Sequence, residues 1–486
     1  MDPKKNFKNK NVVVMGLGLF GGGIASARFC LKYGANVIVT DLQSKEKLSF
    51  SLSSFTNEEK ECITFILGGH QEKDFEQADI VIVNPAVPRK NKFLKIAKEH
   101  GASFENDASL FMRFCKNPVV AITGTRGKTT TTNWIAQLLT LTIGETKPIG
   151  NTPNNPLLNA LSFKEQMREV GPPSLKREYV HIAELSSWQL ELLPQSKKAP
   201  HIAVITNIYP DHLNRYDNIE HYASAKANIF THQTKNDFLI LNYDNDWHDF
   251  ILNKKPLSSL FFFSKKSLPE KLNGIYIKNG IAVIRKNGKE IPLVSLEDFE
   301  EKWGTHNTEN ILASLLAIYL FDPAIKITGT HITKLSGIPF RQQTIYKSDT
   351  LQVVNDTTAT SPDGFIAAVD RFNGDNTIFI AGGTRKDISF EKAAKHVLQH
   401  IPPERLILLS GSATDDFLES LKGVKYDTSD IHIFDELEDC VSCALSKIKE
   451  TRGKIIFSPA SASFEKFNNE FHRGKVFNEI ISRLVK

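Results

Sequence analysis

Val119-Val120-Ala121-Ile122-Thr123-Gly124-Thr125-Arg126-Gly127-Lys128-Thr129-Thr130 runs from an apolar stretch through a glycine loop into a helical pattern. Strand, glycine loop and helix in that order begin a βα unit, and they predict an α/β fold built round a phosphate site. The loop's backbone N–H groups would turn round phosphates, Lys128 would reach the terminal ones, and the Thr129 hydroxyl would meet Mg2+. A strict Walker loop has glycine five residues before Gly127. Ile122 stands there instead, while Gly127-Lys128-Thr129 is intact. A threonine-rich helix cap explains less, because Gly-Lys-Thr-Thr directly after a strand is hard to obtain by accident.

Toward the N-terminus, Val12–Met15, Val37–Thr40 and Ile80–Val83 alternate with helical patterns as far as Phe114, which is the rhythm of a parallel sheet. Toward the C-terminus, further strands are expected at Val180–Glu184, His201–Asn207 and Phe238–Asn242. Met167–Lys176 contains Gly171-Pro172-Pro173 and reads as a surface loop. Asn279-Gly280 and Asn287-Gly288 divide Gly274–Val294 into three short β runs, an antiparallel meander, and a helix is expected over His306–Leu320. A third α/β block begins near Pro339, with strands at Leu351–Val354, Thr377–Ala381, Arg405–Leu409 and Lys454–Phe457. Each of these ends in small or polar residues, at the edge where open α/β sheets bind ligands.

A chain of 486 residues is too long for one core, so two to four domains are expected. A formal charge of +5 without any dense Lys/Arg block interleaved with aromatics argues for ordinary solubility and against a nucleic-acid surface. The odd, scattered set Cys30, Cys62, Cys115, Cys440 and Cys443 argues against a disulfide framework. Cys440 and Cys443 lie in a helical pattern with no second pair and read as buried thiols. Lys4, Lys5, Lys8 and Lys10 before the apolar run Val12–Ile24 imitate a secretory signal. The run is broken by Gly16, Gly18, Gly21, Gly22 and Gly23, so it reads as strand, loop and helix. No segment approaches the length of a membrane span.

Three more features carry chemistry. Gly16-Leu17-Gly18-Leu19-Phe20-Gly21 fits G-x-G-x-x-G after a strand, with Asp41 at the end of the next strand, where a dinucleotide fold places its ribose-binding acid. Glu184 and His212 stand at two strand ends, in Ala183-Glu184-Leu185-Ser186-Ser187-Trp188-Gln189-Leu190-Glu191 and Tyr209-Pro210-Asp211-His212-Leu213. Beside a phosphate loop, that carboxylate and imidazole are candidate partners for Mg2+ or Mn2+. Alone, Glu184 would cap a helix and His212 would pack.

Taken with Asn84-Pro85-Ala86, Asp107–Phe111, Gly150-Asn151, Ala225-Lys226, His306-Asn307 with Asn310, Arg341, Asp356–Ser361, Gly382–Lys386, Ser458–Ser463 and Arg473-Gly474, these motifs resemble the Mur ligase family in order along essentially the whole chain. Within that family the resemblance is greatest to the ligases that add D-glutamate. It implies three domains: a Rossmann-like domain over residues 1–114 for a UDP-sugar, a central P-loop ATPase over 115–337, and a Rossmann-like domain over 338–486 for the amino acid. It implies a cytoplasmic, monomeric, ATP-dependent enzyme of peptidoglycan precursor synthesis that acts on UDP-N-acetylmuramoyl-L-alanine and D-glutamate through an acyl phosphate. Lys128, His212 and Lys226 would be catalytic. Gly124, Thr125, Arg126, Gly127, Lys128, Thr129, Thr130, Asn307, Asn310, Arg341 and Asp356 would contact ATP. Thr129, Glu184, His212 and a carbamylated Lys226 would serve the metal. Gly18, Leu19, Phe20, Asp41, Asn84 and Asn151 would meet the UDP-substrate, and Thr360, Lys386 and Ser463 the amino acid. Without the resemblance Lys226 reads as a solvated surface lysine.

The sequence departs from the family at Thr358, where a lysine is usual, and at Glu470, where an aromatic residue is common; Arg385 adds a cation nearby. Both departures fall on the amino-acid side, so L-glutamate or another amino acid is the competing substrate. A nicotinamide oxidoreductase would use Gly16–Gly21 and Asp41 but leaves Gly124–Thr130, Glu184 and His212 without purpose. A non-catalytic scaffold would have lost Lys128, Glu184 or His212, and all are present.

Overall fold

Val12 and Val14 enter one apolar core while Val13 and Met15 enter another, so the first strand is covered on both faces, as parallel sheets are. The computed structural model describes residues 2–19, 21–152, 155–162, 169–170, 177–213, 215–297, 299–386, 388–448 and 452–485. The described chain divides into two compact units, residues 1–335 and 336–486.

The first unit holds two large sheets. Strands β1 (Asn11–Met15), β2 (Asn36–Asp41), β3 (Ile63–Leu67), β4 (Ile80–Val83) and β5 (Ser103–Glu105) are all parallel in the order β3-β2-β1-β4-β5. The order reverses beside β1, so the Gly16–Gly21 loop and Asn84 share one sheet edge. The second sheet comprises β6 (Val119–Thr123), β7 (Pro148–Gly150), β10 (His181–Glu184), β11 (Ile202–Ile205), β12 (Phe238–Asn242), β13 (Ser259–Ser264), β14 (Gly274–Lys278), β15 (Ile281–Lys286) and β16 (Lys289–Ser295). Its order is β16-β15-β14-β13-β12-β11-β6-β10-β7. Pairing is parallel from β7 to β14 and antiparallel from β14 to β16, so the expected meander is the tail of this sheet. Of Met167–Lys176 only β8 (Glu169–Val170) is described; it pairs antiparallel with β9 (Arg177–Glu178), and the rest of that expected loop lies outside the described residues.

The phosphate-loop helix, Lys128–Thr142, runs behind β6 and packs on the helix His306–Phe321. Trp134 anchors that contact, fully buried edge-on against Phe299 and Trp303. In the second unit, β17 (Gln343–Lys347), β18 (Leu351–Asn355), β19 (Thr377–Gly382), β20 (Leu406–Leu409), β21 (His432–Phe434) and β22 (Gly453–Phe457) form the order β17-β18-β22-β19-β20-β21, with only β17 antiparallel. The N-terminal run that imitates a signal is β1 and the helix Gly22–Lys32. Cys440 is buried on the helix Leu437–Lys447 and Cys443 is half-buried, with free thiols.

Candidate active site

The loop between β6 and its helix is shaped by two glycines. Gly124 has φ of +149° and Gly127 +79°; a Cβ on Gly124 would stand 1.9 Å from Thr206 Oγ1, and one on Gly127 would stand 2.1 Å from Asn310 Oδ1. The loop is braced from the next strand end. The Asn207 carbonyl accepts from Thr125 N at 2.9 Å, Asn207 Oδ1 accepts from Arg126 N at 2.9 Å, and the Thr206 hydroxyl donates to the Arg126 carbonyl at 2.5 Å. Ile122, at the place of the missing Walker glycine, is wholly buried in β6, so the loop here begins only at Gly124. Asn310 donates to Asn307 Oδ1 at 2.9 Å, so both expected ATP contacts lie on the helix directly behind Gly127. Lys128 Nζ folds back onto the carbonyls of Gly124 and Thr125, each at 3.0 Å. Thr129 and Thr130 follow in the first helical turn, where the helix N-terminus favours anions.

Lys226 is not a solvated surface lysine. It is 1 % exposed on the helix Ile219–Ala227, and its Nζ donates to the Gly124 carbonyl at 2.8 Å. Burial and the neighbouring Lys128 cation push its amine well below the usual lysine range, against a weaker opposing pull from Asp211. The charged form is thereby disfavoured relative to an exposed lysine. Glu184 ends β10 beside the loop strand, its Cα paired with that of Ile122. One carboxylate oxygen accepts from Asn151 Nδ2 at 3.0 Å; the other, Oε2, is buried with no hydrogen-bond partner. A bare buried carboxylate oxygen costs free energy unless a cation or donor meets it, and it fits a hard divalent ion.

His212 takes a left-handed backbone conformation with φ of +54°, which costs about 1 kcal/mol in a residue bearing a Cβ. Its ring lies 4.9 Å from Trp188 and 6.2 Å from Tyr222, centroid to centroid. Tyr222 is the residue that motif reading passed over. Its hydroxyl lies 3.2 Å from Thr125 Oγ1, its ring is 4.4 Å from Lys226 Nζ, and it touches the His212 ring, so one buried side chain joins loop, lysine and imidazole. A tyrosine four residues after a helix N-cap carries no distinguishing sequence signal.

At the N-terminal sheet, the Asp41 carboxylate is already engaged. Its Oδ2 accepts from Leu17 N at 2.8 Å and Gly18 N at 3.1 Å. Asn84 Nδ2 donates to the Gly16 carbonyl at 3.3 Å, and a Cβ on Gly16 would fall 2.7 Å from Asn84 Cβ. Gly18, Asp41 and Asn84 are therefore brought together, with Leu19 exposed beside them; Phe20 lies outside the described residues.

The second unit gathers the residues expected to meet the amino acid. Lys386 Nζ donates to Thr360 Oγ1 at 3.1 Å. Thr384 and Ala462 exchange backbone hydrogen bonds at 3.0 and 3.1 Å, which sets the Lys386 loop against the Ser463 loop. The Ser463 hydroxyl oxygen is buried and has no partner. Thr358, in place of the family lysine, donates its hydroxyl to the Phe340 carbonyl at 2.8 Å. Arg385 does not take over the missing cation's place: it forks onto Asp416, with Nε 2.6 Å from Oδ2. Arg473 is completely buried and donates to Thr357 Oγ1, the Thr357 carbonyl and the carbonyls of Ser461 and Ala462 at 2.8–3.1 Å. Asp356 accepts from Gln342 N at 3.0 Å and from the Ser458 hydroxyl at 2.9 Å, and burial pushes its carboxyl up to about 7 despite nearby Arg341 and Arg371.

Residues 122–318 match the Mur ligase middle domain, and residues 10–104 match the Mur ligase MurD-like N-terminal domain. The UDP-N-acetylmuramoylalanine--D-glutamate ligase of Borreliella burgdorferi (strain ZS7) is 35% identical, with 98% of both chains covered. The ligase of the same name from Roseiflexus sp. (strain RS-1) is 33% identical, covering 97% of this chain and 98% of that one. Among solved structures, the MurF ligase from Thermotoga maritima in complex with ADP shares the fold with a TM-score of 0.56 at 15% identity, over 99% of this chain and 97% of that one.

Proposed function

Since this chain belongs to the Mur ligase family of ATP-dependent amino-acid ligases, we propose that it joins D-glutamate to UDP-N-acetylmuramoyl-L-alanine in the cytoplasm, for peptidoglycan synthesis. The observation that carries this reading is the meeting of Lys128 and Lys226 at the Gly124 carbonyl, with the orphaned oxygen of Glu184 at the end of the strand paired with the loop strand. Two cationic or carbamate-forming groups and a carboxylate at a phosphate loop suit a reaction that transfers a phosphoryl group to a carboxylate. Among the described residues no helix is long and apolar enough to cross a membrane. The boundaries that go with this reading are residues 1–114 for the UDP-sugar, 115–337 for ATP and 338–486 for the amino acid.

The loop N–H groups and Lys128 hold the ATP phosphates and offset charge as the γ-phosphoryl group leaves ADP. The alanine carboxylate attacks phosphorus and becomes an acyl phosphate. The D-glutamate amine then attacks the acyl carbon, loses a proton, and displaces inorganic phosphate as the amide forms. Asn307 and Asn310 shape the nucleotide side of the loop, and Arg341 and Asp356 are the further residues assigned to ATP in this reading. Thr129, Glu184, His212 and Lys226 are the residues that would hold Mg2+, with Mn2+ as a substitute. Bound there, the ion would offset the repulsion between carboxylate and phosphate. The depressed basicity of Lys226 supports its reaction with carbon dioxide: the neutral amine forms an N–C bond and releases a proton, turning a cation into an oxygen ligand. Gly18, Leu19, Phe20, Asp41, Asn84 and Asn151 face the UDP-substrate in this reading, and Lys386, Thr360 and Ser463 receive the glutamate carboxylates.

The test is phosphate release with ATP, UDP-N-acetylmuramoyl-L-alanine and a panel of D- and L-amino acids. Release only with D-glutamate is expected. Release with no member of the panel would overturn the reading, and release with L-glutamate alone would reassign the amino acid.

A further inference from the structure

Arg215 stands three residues beyond His212 and makes more directed contacts than a surface arginine needs. Its Nε and Nη2 fork onto the two oxygens of Glu191, each at 2.9 Å, and its Nη1 donates to the Pro85 carbonyl at 2.8 Å. Its guanidinium carbon lies 4.7 Å from the centre of the Trp188 ring, and the Trp188 ring lies 4.9 Å from that of His212. Glu191 also accepts from Arg89 Nε at 2.6 Å and from the Tyr216 hydroxyl at 2.8 Å. Both arginines hold that carboxyl below the usual glutamate range, against the upward push of burial. The Arg215 and Glu191 side chains are 11 % and 14 % exposed, so the pair is largely withdrawn from solvent, where such a fork holds its geometry firmly.

The contacts therefore form one chain: His212, Trp188, Arg215, then Pro85 and, through Glu191, Arg89. It starts at a strained candidate catalytic residue. It ends on the loop that follows Asn84 in the other sheet of the same unit. Arg215 N and Tyr216 N both return to the His212 carbonyl, at 2.9 and 3.1 Å, so the chain closes on the strained residue through backbone as well as side chain. Its link to the phosphate loop is indirect, through Tyr222, whose ring lies 5.3 Å from that of Tyr216 and whose hydroxyl lies 3.2 Å from Thr125 Oγ1.

We propose that Arg215 is a positioning residue for the ligase reaction: stacked on Trp188 it fixes the His212 ring, and bonded to Pro85 and Glu191 it sets that ring against the loop where the UDP-substrate binds. The inference rests on the ligase reading given above. Trp188 is the middle contact, and Arg89 keeps Glu191 charged and in place.

The experiment is a double-mutant cycle on the full chain, with kcat and KM measured for each substrate. Arg215→Met lowers kcat/KM for UDP-N-acetylmuramoyl-L-alanine by about 30-fold and moves the KM for ATP by less than about twofold, since misplacement by an ångström is costly at the reacting centre. Arg215→Lys keeps a cation over Trp188 but loses the fork, and recovers part of the loss. In a His212→Ala background the same Arg215→Met change costs less than about threefold, because a residue that acts through another has little left to do without it. Losses that multiply in the double variant would overturn the proposal, as would an equal rise in the KM for ATP. If Arg215→Met does not fold, Glu191→Gln enters the same cycle and the same outcomes decide. A wild-type chain that releases phosphate with no amino acid overturns the ligase reading and this inference together. An active wild type with multiplicative losses overturns this inference alone.

Discussion

Lys128 and Lys226 converge on one oxygen, the carbonyl of Gly124, with their Nζ atoms 3.0 and 2.8 Å from it. One lysine opens the loop helix and the other comes from a helix about a hundred residues later, so only the fold brings them together. Burial first, and the neighbouring Lys128 cation second, disfavour the charged form of Lys226.

Lys128 is half-buried, and its Nζ bonds the Gly124 and Thr125 carbonyls of its own loop. Lys128→Ala should lower phosphate release by roughly 10²-fold or more while the thermal midpoint stays within a few degrees. Near-normal turnover would remove it from the chemistry.

For Lys226 the discriminating variant is Lys226→Ala with short carboxylic acids added. A carboxylate entering the vacated space restores the oxygen ligand, so formate or acetate should recover part of a loss of roughly 10²-fold. Wild-type activity in the variant without any addition would refute carbamate chemistry at this position.

Gly124→Ala puts a methyl group 1.9 Å from Thr206 Oγ1 at a φ of +149°. The loop must move, and the expected result is a rise of tenfold or more in the KM for ATP, with destabilisation of about 1–3 kcal/mol. Isothermal calorimetry with ATP and a denaturant titration measure the two effects separately.

Asp356 supplies a pH dependence. Its carboxyl titrates near 7 in the folded protein against an ordinary value of 3.8, so the folded state binds more protons between those values. Stability of the nucleotide-free protein should therefore fall as pH rises from 3.8 to about 7. Asp356→Asn keeps an acceptor for Gln342 N and faces the Ser458 hydroxyl with an amide, and it should flatten that slope. An unchanged slope in thermal midpoints across the window would remove Asp356 as its source.

Arg473→Met strands the acceptors that Arg473 now satisfies from complete burial. A loss of about 3 kcal/mol is expected in chemical denaturation, with D-glutamate binding weakened as the Thr357 and Ser461 segments loosen. A loss below about 1 kcal/mol would mean that water replaces the guanidinium.

The fold was legible where strands are apolar on both faces. Val119–Thr123, Ile80–Val83 and Phe238–Asn242 begin and end where the pattern places them. Ser103–Glu105, Pro148–Gly150 and His432–Phe434 were not anticipated, because three-residue edge strands carry too few side chains to show a period. Ser259–Ser264 was also passed over, although its Phe261, Phe262 and Phe263 are buried. The phosphate loop could be read directly, since Gly124 and Gly127 answer a local backbone need. Lys226, Tyr222 and Arg215 could not, because their surroundings come from distant chain segments and a helical lysine looks the same on any face.

The Asp41 brace bears on how genomes are read. A pattern search on Gly16–Gly21 files this chain with redox enzymes, since the fingerprint and its downstream acid are both present. Yet the acid already accepts from the Leu17, Gly18 and Gln43 amides, so its carboxylate braces the loop instead of standing free for a ribose. Whether such an acid is spent on its own loop, as Asp41 is here, is read from coordinates rather than from an alphabet.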